Sequence, residues 1–329
     1  MEGRLDEDLT EMNEKLSEYV DRGRVVGFHE VRKEPTIAVK PNRSRIRPLK
    51  KMKSCDVHFM AVDCSTRTLK RANNWGIYLF RAAYARVKGR DVQWDFRERI
   101  HTVVGDAYVR RRISQDVRLN LESEIALNLV HDASDSDYLL LDGASYFGGE
   151  RKFWVELYEK CKKEEVRLLA LSKQSPMLHD EKGRDLVAAT YMLSPSYSMW
   201  VYYPVKHANI HEHQYGNVSM VKLSGESPRV FRCDVMEYLS NCEITDLLSP
   251  LTFTSEDPRC LGYPVTLWLA HDFSAPSDSK LLHYNDQIEE KLAGAGLLDV
   301  LRLEELACNF PDELHGAKHP FEWEWVERV

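Results

Sequence analysis

The chain has 329 residues, 43% of them hydrophobic, and 45 Lys and Arg against 52 Asp and Glu give a net charge of −7. This is length for one large domain or two ordinary ones, and the balance excludes a surface that is basic all over while leaving room for a local basic stripe. No apolar run approaches the roughly 18 residues of a membrane span, the first residues lack the apolar core of a secretory signal, and seven scattered cysteines without a C-x-x-C disfavour a disulfide framework or a cysteine zinc site; a reducing, cytoplasmic setting is expected.

In chain order, Leu5, Leu9, Met12, Leu16 and Tyr19 are spaced 4, 3, 4, 3 on an otherwise charged stretch, which predicts a short helix whose apolar seam packs on its own domain or on a partner. The segment "KPNRSRIRPLKKMK", 40–53, holds seven basic residues in fourteen and no acid. Its prolines discourage a regular helix, so it reads as a solvated loop or as a phosphate contact through Arg43, Arg45, Arg47, Lys50 and Lys51. Strands are predicted at 57–63, 75–87 and within "HTVVGDAYV", followed by a helix over 116–132 in which Val117, Leu121, Ile125 and Leu129 recur every four residues. "DYLLLDG" reads as a central strand, "ERKFWVELYEKCKKEEV" as a helix and "RLLALSK" as another strand. The second half offers strands in "SMWVYYPV", "VSMVKL" and "RVFRCDV", a buried helix in "LGYPVTLWLAHDFS" entered through Tyr263 and Pro264, and a further helix over 279–298. This order predicts an α/β fold with helices on a mixed sheet and a small N-terminal helical element.

Two of the strands finish on a carboxylate, Asp63 in "AVDCST" and Asp142 in "LLLDGAS", each followed by small or hydroxyl residues, Ser65 and Ser145 among them. Strand-end aspartates are commonly turn or cap residues. Here two of them flank a helix that carries Glu122 and Glu124, and neighbouring strands lie about 4.8 Å apart, so a shared cation is within reach. Helical periodicity does not separate the two glutamates, with Glu124 slightly preferred as the third carboxylate. Carboxylates in one cleft repel unless a cation is bound, and hard oxygen ligands select Mg2+ or Mn2+, as a pair of ions able to assist phosphodiester cleavage. His271 in the apolar "LWLAHDFS" is expected to be carried into the interior, as a core residue or a fourth site residue, and Lys173 at the end of "LLALSK" is a candidate phosphate contact or an ordinary surface lysine. His207, His211 and His213 lie in a polar turn with no matching cysteine, which does not read as a zinc site. No G-x-G-x-x-G or G-x-x-x-x-G-K-[ST] loop occurs, so ATP hydrolysis by the chain itself is not expected.

The blocks "AVDCST", "RLNLESEIAL", "LLLDGAS", "LALSK" and "GYPVTLWLAHDFS", in that order, resemble the NurA nucleases, partners of the HerA hexameric ATPase in DNA end processing. The resemblance spans about residues 57–290. It implies an RNase H-like core, with 1–53 as an N-terminal helix and basic segment and 54–329 as the nuclease domain. It further implies a homodimer, DNA as substrate, manganese-dependent cleavage in repair or in defence against invading DNA, and Asp63, a glutamate of the intervening helix, Asp142 and His271 as the metal site. The family's first aspartate is usually followed by glycine, where this chain has Cys64. The alternative expectation is a non-catalytic adaptor of the same fold that dimerises and docks on the ATPase ring.

Overall fold

The computed structural model describes residues 37–143, 152–173, 178–195 and 198–314; the expected N-terminal helical seam and Ser145 lie outside them. The strands are β1 (Ile37–Val39), β2 (Ile46–Pro48), β3 (Phe59–Arg71), β4 (Trp75–Lys88), β5 (Asp91–Val104), β6 (Tyr138–Asp142), β7 (Arg167–Ser172), β8 (Leu178–Asp180), β9 (Trp200–Lys206), β10 (Gly216–Lys222) and β11 (Phe231–Met236). The α-helices are α1 (Ala107–His131), α2 (Lys152–Lys163), α3 (Leu186–Leu193), α4 (Ile244–Thr254), α5 (Val265–Ser274), α6 (Asp278–Gly294) and α7 (Leu298–Leu314). No helix among the described residues is long and apolar enough to cross a membrane. The architecture is mixed α/β, with strands of both directions flanked by helices.

The chain divides into two compact units. In the one holding 55–142, 147–168 and 265–329, strands lie side by side in the order β6, β3, β4, β5. β3, β4 and β5 form an antiparallel run, α1 follows, and β6 returns parallel to β3. This is the arrangement expected of an RNase H-like core. β4 can occupy the middle because nearly every side chain of "WGIYLFRAA" is apolar and buried. The edge strand β5 is exposed along almost its whole length. Helix α5 lays Thr266, Leu267, Leu269 and Ala270 into the interior of this unit, where each fully buried leucine contributes about 1.5–3 kcal/mol. A second cluster gathers Leu69, Ala72, Trp75, Ile77, Leu79 and Leu281, with Tyr284, Ile288 and Leu301 from α6 and α7 against it.

In the other unit, 1–54, 143–146 and 169–264, the strand order is β2, β9, β10, β11, β7, all antiparallel, and β1 pairs separately and in parallel with β8. Its core joins Leu178, Leu186, Trp200, Tyr202, Val205, Val218 and Met220.

Several elements depart from the sequence reading. β3 does not stop at Asp63 but runs eight residues further, to Arg71, paired with β4 with one register shift between Thr68 and Lys70. "HTVVGDAYV" is not one strand. Its first four residues close β5, and Asp106 then caps α1 by accepting a hydrogen bond from the Val109 amide at 2.9 Å. The remainder of β5 was not read as a strand, although Val92, Trp94, Phe96 and Ile100 alternate there with polar residues. The predicted helix over 279–298 is two helices, broken where Gly296 adopts φ +71, a left-handed conformation that glycine takes without steric cost.

Candidate active site

The site is built from three elements of one unit. Asp63 lies within β3 and is 6% exposed. Asp142 is the last residue of β6, the strand parallel to β3, and Gly143 turns the chain away at φ +125. Helix α1 buries two adjoining rows of side chains, Val117, Leu121, Ile125 and Leu129 beside Glu122, Ala126 and Val130. Glu122 therefore faces inward while Glu124, two residues on, is exposed on the outer side. Asp63, Glu122 and Asp142 line one pocket, together with Val62, Leu141 and Arg118. The preferred glutamate of the sequence reading is thus not the one the fold brings to the aspartates.

His271 corrects the sequence reading in another way. The buried stripe of α5 is made by residues 266, 267, 269, 270 and 274, which turns position 271 outward, and its side chain is 65% exposed. The ring nevertheless reaches the site, with Nδ1 2.7 Å from Asp63 Oδ2. α5 is fastened to β3 there, since the Ser65 hydroxyl donates to the Ser274 carbonyl.

The electrostatics divide the carboxylates. Burial pushes Asp63 up, but the His271 hydrogen bond, the Arg118 charge and the Cys64 amide at 2.8 Å outweigh it and hold the carboxyl below its usual range. Asp63 is therefore ionised and only accepts, so the 2.7 Å contact places a proton on His271 Nδ1 and leaves Nε2 as the ring's other polar atom. Glu122 goes the other way. Burial foremost, with the Asp63 and Asp142 charges, pushes it up to about 7 against the pull of Arg118.

Arg118 is a residue the sequence reading did not single out. Its Nε donates to Glu122 Oε1 at 3.0 Å and its Nη2 lies 3.5 Å from Asp63 Oδ1. The signal was present in "RLNLE", because positions 118 and 122 are one helical turn apart. Cys64, in place of the family's usual glycine, is buried in β3 opposite Ala82. It is not among the positive-φ residues, so the strand imposes no left-handed conformation there.

Three carboxylates lining one pocket are donors of the kind that suits a divalent cation such as Mn2+ or Mg2+, while His271, whose Nδ1 faces Asp63, stands beside that pocket rather than in its lining. Among the described residues no three His, Cys, Asp or Glu side chains already converge on one ion position, and the Arg118 guanidinium bridges two of the carboxylates.

The remaining candidates belong to the other unit. Lys173 stands exposed just after β7, its ammonium 5.6 Å from the Tyr263 ring centre. The basic segment is a 3-10 turn at Arg43–Arg45 followed by β2 on the edge of β9, rather than a plain loop. Part of its charge is paired within the unit. Arg47 meets Glu243 at 2.9 Å, Lys51 meets Glu256 at 2.7 Å, Lys50 lies 4.0 Å from Asp246, and Arg45 donates to the Pro204 carbonyl at 2.9 Å.

The model of the NurA domain matches residues 57–274, a span that contains the whole pocket and His271. The chain belongs to the NurA family. Its fold is similar to that of the crystal structure of the NurA nuclease from Sulfolobus solfataricus, at 16% identity and a TM-score of 0.58, covering 77% of this chain and 89% of that one. It is also similar to a second NurA crystal structure, at 9% identity, TM-score 0.57 and coverage of 79% and 93%. A third, described as NurA with manganese, gives 11% identity, TM-score 0.53 and coverage of 88% and 98%. No curated protein sequence matches the chain.

Proposed function

We propose that this NurA-family chain is a deoxyribonuclease that depends on Mn2+ or Mg2+ and uses Asp63, Glu122, Asp142 and His271. The observation that carries the reading is the shared pocket of Asp63, Glu122 and Asp142, with the His271 ring held against Asp63. Its setting in a family whose solved members include a nuclease and a manganese-bound form supports it. When bound, one or two such cations supply the positive charge that activates an attacking water and offsets charge on the leaving oxygen. The three carboxylates hold that charge in place. Asp63 fixes the His271 ring and its tautomer, so that Nε2 presents a nitrogen lone pair for a ligand bond or for a proton. The basic segment with Arg43, Arg45, Arg47, Lys50 and Lys51 is the proposed contact to the DNA backbone, and Lys173 a further phosphate contact.

The chain contains no phosphate-cradling glycine loop, so energy for movement along DNA comes from a partner, for which a HerA-like hexameric ATPase serving a NurA homodimer is the proposal. The setting is DNA end processing in repair or in defence against invading DNA. Seven cysteines without a disulfide among them suit a reducing cytoplasm. A second reading, a non-catalytic adaptor docked on the ATPase, is favoured by one observation: Arg118 already bridges Asp63 and Glu122.

The test is cleavage of end-labelled linear DNA in Mn2+, Mg2+ and EDTA, with Asp142→Asn alongside. We expect metal-dependent cleavage that the variant abolishes while it stays folded, since an exposed strand-end side chain of unchanged shape is replaced. Cleavage by the variant at the unaltered rate removes Asp142 from the mechanism. An intact chain that cuts with neither metal is the adaptor.

A further inference from the structure

We propose that Arg118 is a placeholder cation, which bridges Asp63 and Glu122 until a divalent ion displaces it and then turns outward to the DNA phosphate. This rests on the metal-dependent reading above and adds to it a named competitor for the metal site. The guanidinium takes Glu122 Oε1 at 3.0 Å and lies 3.5 Å from Asp63 Oδ1, the two oxygens that a cation in this pocket would need. The second Asp63 oxygen is engaged by His271 at 2.7 Å, and Oδ1 also accepts from the Cys64 amide at 2.8 Å, so Arg118 and a metal ion compete for what remains of the Oδ1 lone pairs. Arg118 also lines the pocket with Asp142. Guanidinium and metal ion are therefore alternative partners of one acidic set, because each demands the same lone pairs.

The placement makes exchange feasible. Arg118 sits one helical turn before Glu122 on α1, with its side chain 38% exposed, against 8% for Asp63 and 10% for Glu122. Its long side chain can swing to solvent by rotation about its own bonds while the carboxylates stay buried. Arginine does not deprotonate in proteins, so it leaves by displacement rather than by titration. Once outside, its planar fork matches a phosphodiester oxygen pair. The same group that opposes the metal in the resting site then favours the strand that the metal acts on. Binding of metal and of DNA thereby support each other, and that coupling is reciprocal.

The decisive measurement is Mn2+ binding to the full chain, read by electron paramagnetic resonance of the unbound ion, for the unaltered protein, R118M and R118K. Methionine keeps much of the apolar stem without the charge; lysine keeps the charge without the fork. We expect R118M to bind Mn2+ about tenfold or more tightly than the unaltered chain, with R118K in between. Addition of a phosphorothioate oligonucleotide that resists cleavage is expected to tighten Mn2+ binding to the unaltered chain, and to do so less in R118M. Circular dichroism checks that each variant is folded, and R118Q replaces R118M in the comparison should the latter not fold. Equal affinities overturn the placeholder while leaving the metal site standing. Weaker binding in R118M also overturns it and makes Arg118 a support for Glu122. If neither protein binds Mn2+, the placeholder falls together with the metal-dependent reading.

Discussion

Glu122 offers a prediction that needs no substrate. In the metal-free chain its carboxyl lies at about 7 rather than the ordinary 4.5, chiefly because it is buried. The folded protein therefore holds a proton on Glu122 that the unfolded chain has already lost between those two values. Stability falls as pH rises through that window, since the folded state binds the extra proton. A displacement of this size costs about 3 kcal/mol once Glu122 is fully ionised, as an order of magnitude. Glu122→Gln removes the ionisation but also weakens the partner of Arg118 at 3.0 Å, which gives back about 1 kcal/mol. In EDTA, urea unfolding is then expected to find E122Q more stable than the unaltered chain by about 2 kcal/mol at pH 8, with that advantage gone near pH 5. Added Mn2+ is expected to close the difference at pH 8 by stabilising only the unaltered protein. An E122Q deficit that is the same at both pH values refutes the argument, because it would mean that Glu122 carries no penalty for its charge.

Three further outcomes follow from the geometry. His271→Ala is expected to lower cleavage at least about tenfold while changing the melting temperature little, because the ring is 65% exposed; normal cleavage by the variant returns His271 to a surface role. Changing Arg43, Arg45 and Arg47 to alanine is expected to flatten the salt dependence of DNA affinity by about one to two phosphate contacts, fewer than three because Arg47 is already held by Glu243 at 2.9 Å, and an unchanged slope leaves the segment as structure alone. Cys64→Gly, which restores the usual family residue, is expected to destabilise the fold by about 1–2 kcal/mol without raising cleavage, since Cys64 is a buried residue of a regular strand; a more active variant refutes the reading of that backbone as unstrained.

What the sequence revealed of this site depended on the kind of signal each residue leaves. Asp63 and Asp142 were legible because each interrupts an apolar strand run, and burial of β3 and β6 forces the contrast. Glu122 was not separable from Glu124, because a four-residue period names one buried row and α1 buries two. His271 misled for the same reason. Its apolar neighbours predict a buried helix, which α5 is, but they do not give the helical phase, which turns residue 271 outward. Arg118 is an arginine among several on α1 until the fold brings Asp63 to it. β5 was partly lost although Val92, Trp94, Phe96 and Ile100 alternate with polar residues, which is the period-two signal of a strand.

That edge also bears on how the protein behaves in concentrated solution. Among the described strands β5 has β4 as its single neighbour, so among the described residues no strand pairs with the other rim of its fourteen residues. Trp94, Val92 and Ile100 are 50%, 44% and 42% exposed on it. Such a rim is a template for uncontrolled strand addition. Interleaved with those residues are Asp91, Asp95, Arg97 and Arg99, all exposed, which place charges of both signs along the path of an incoming strand. They act as gatekeepers of colloidal stability.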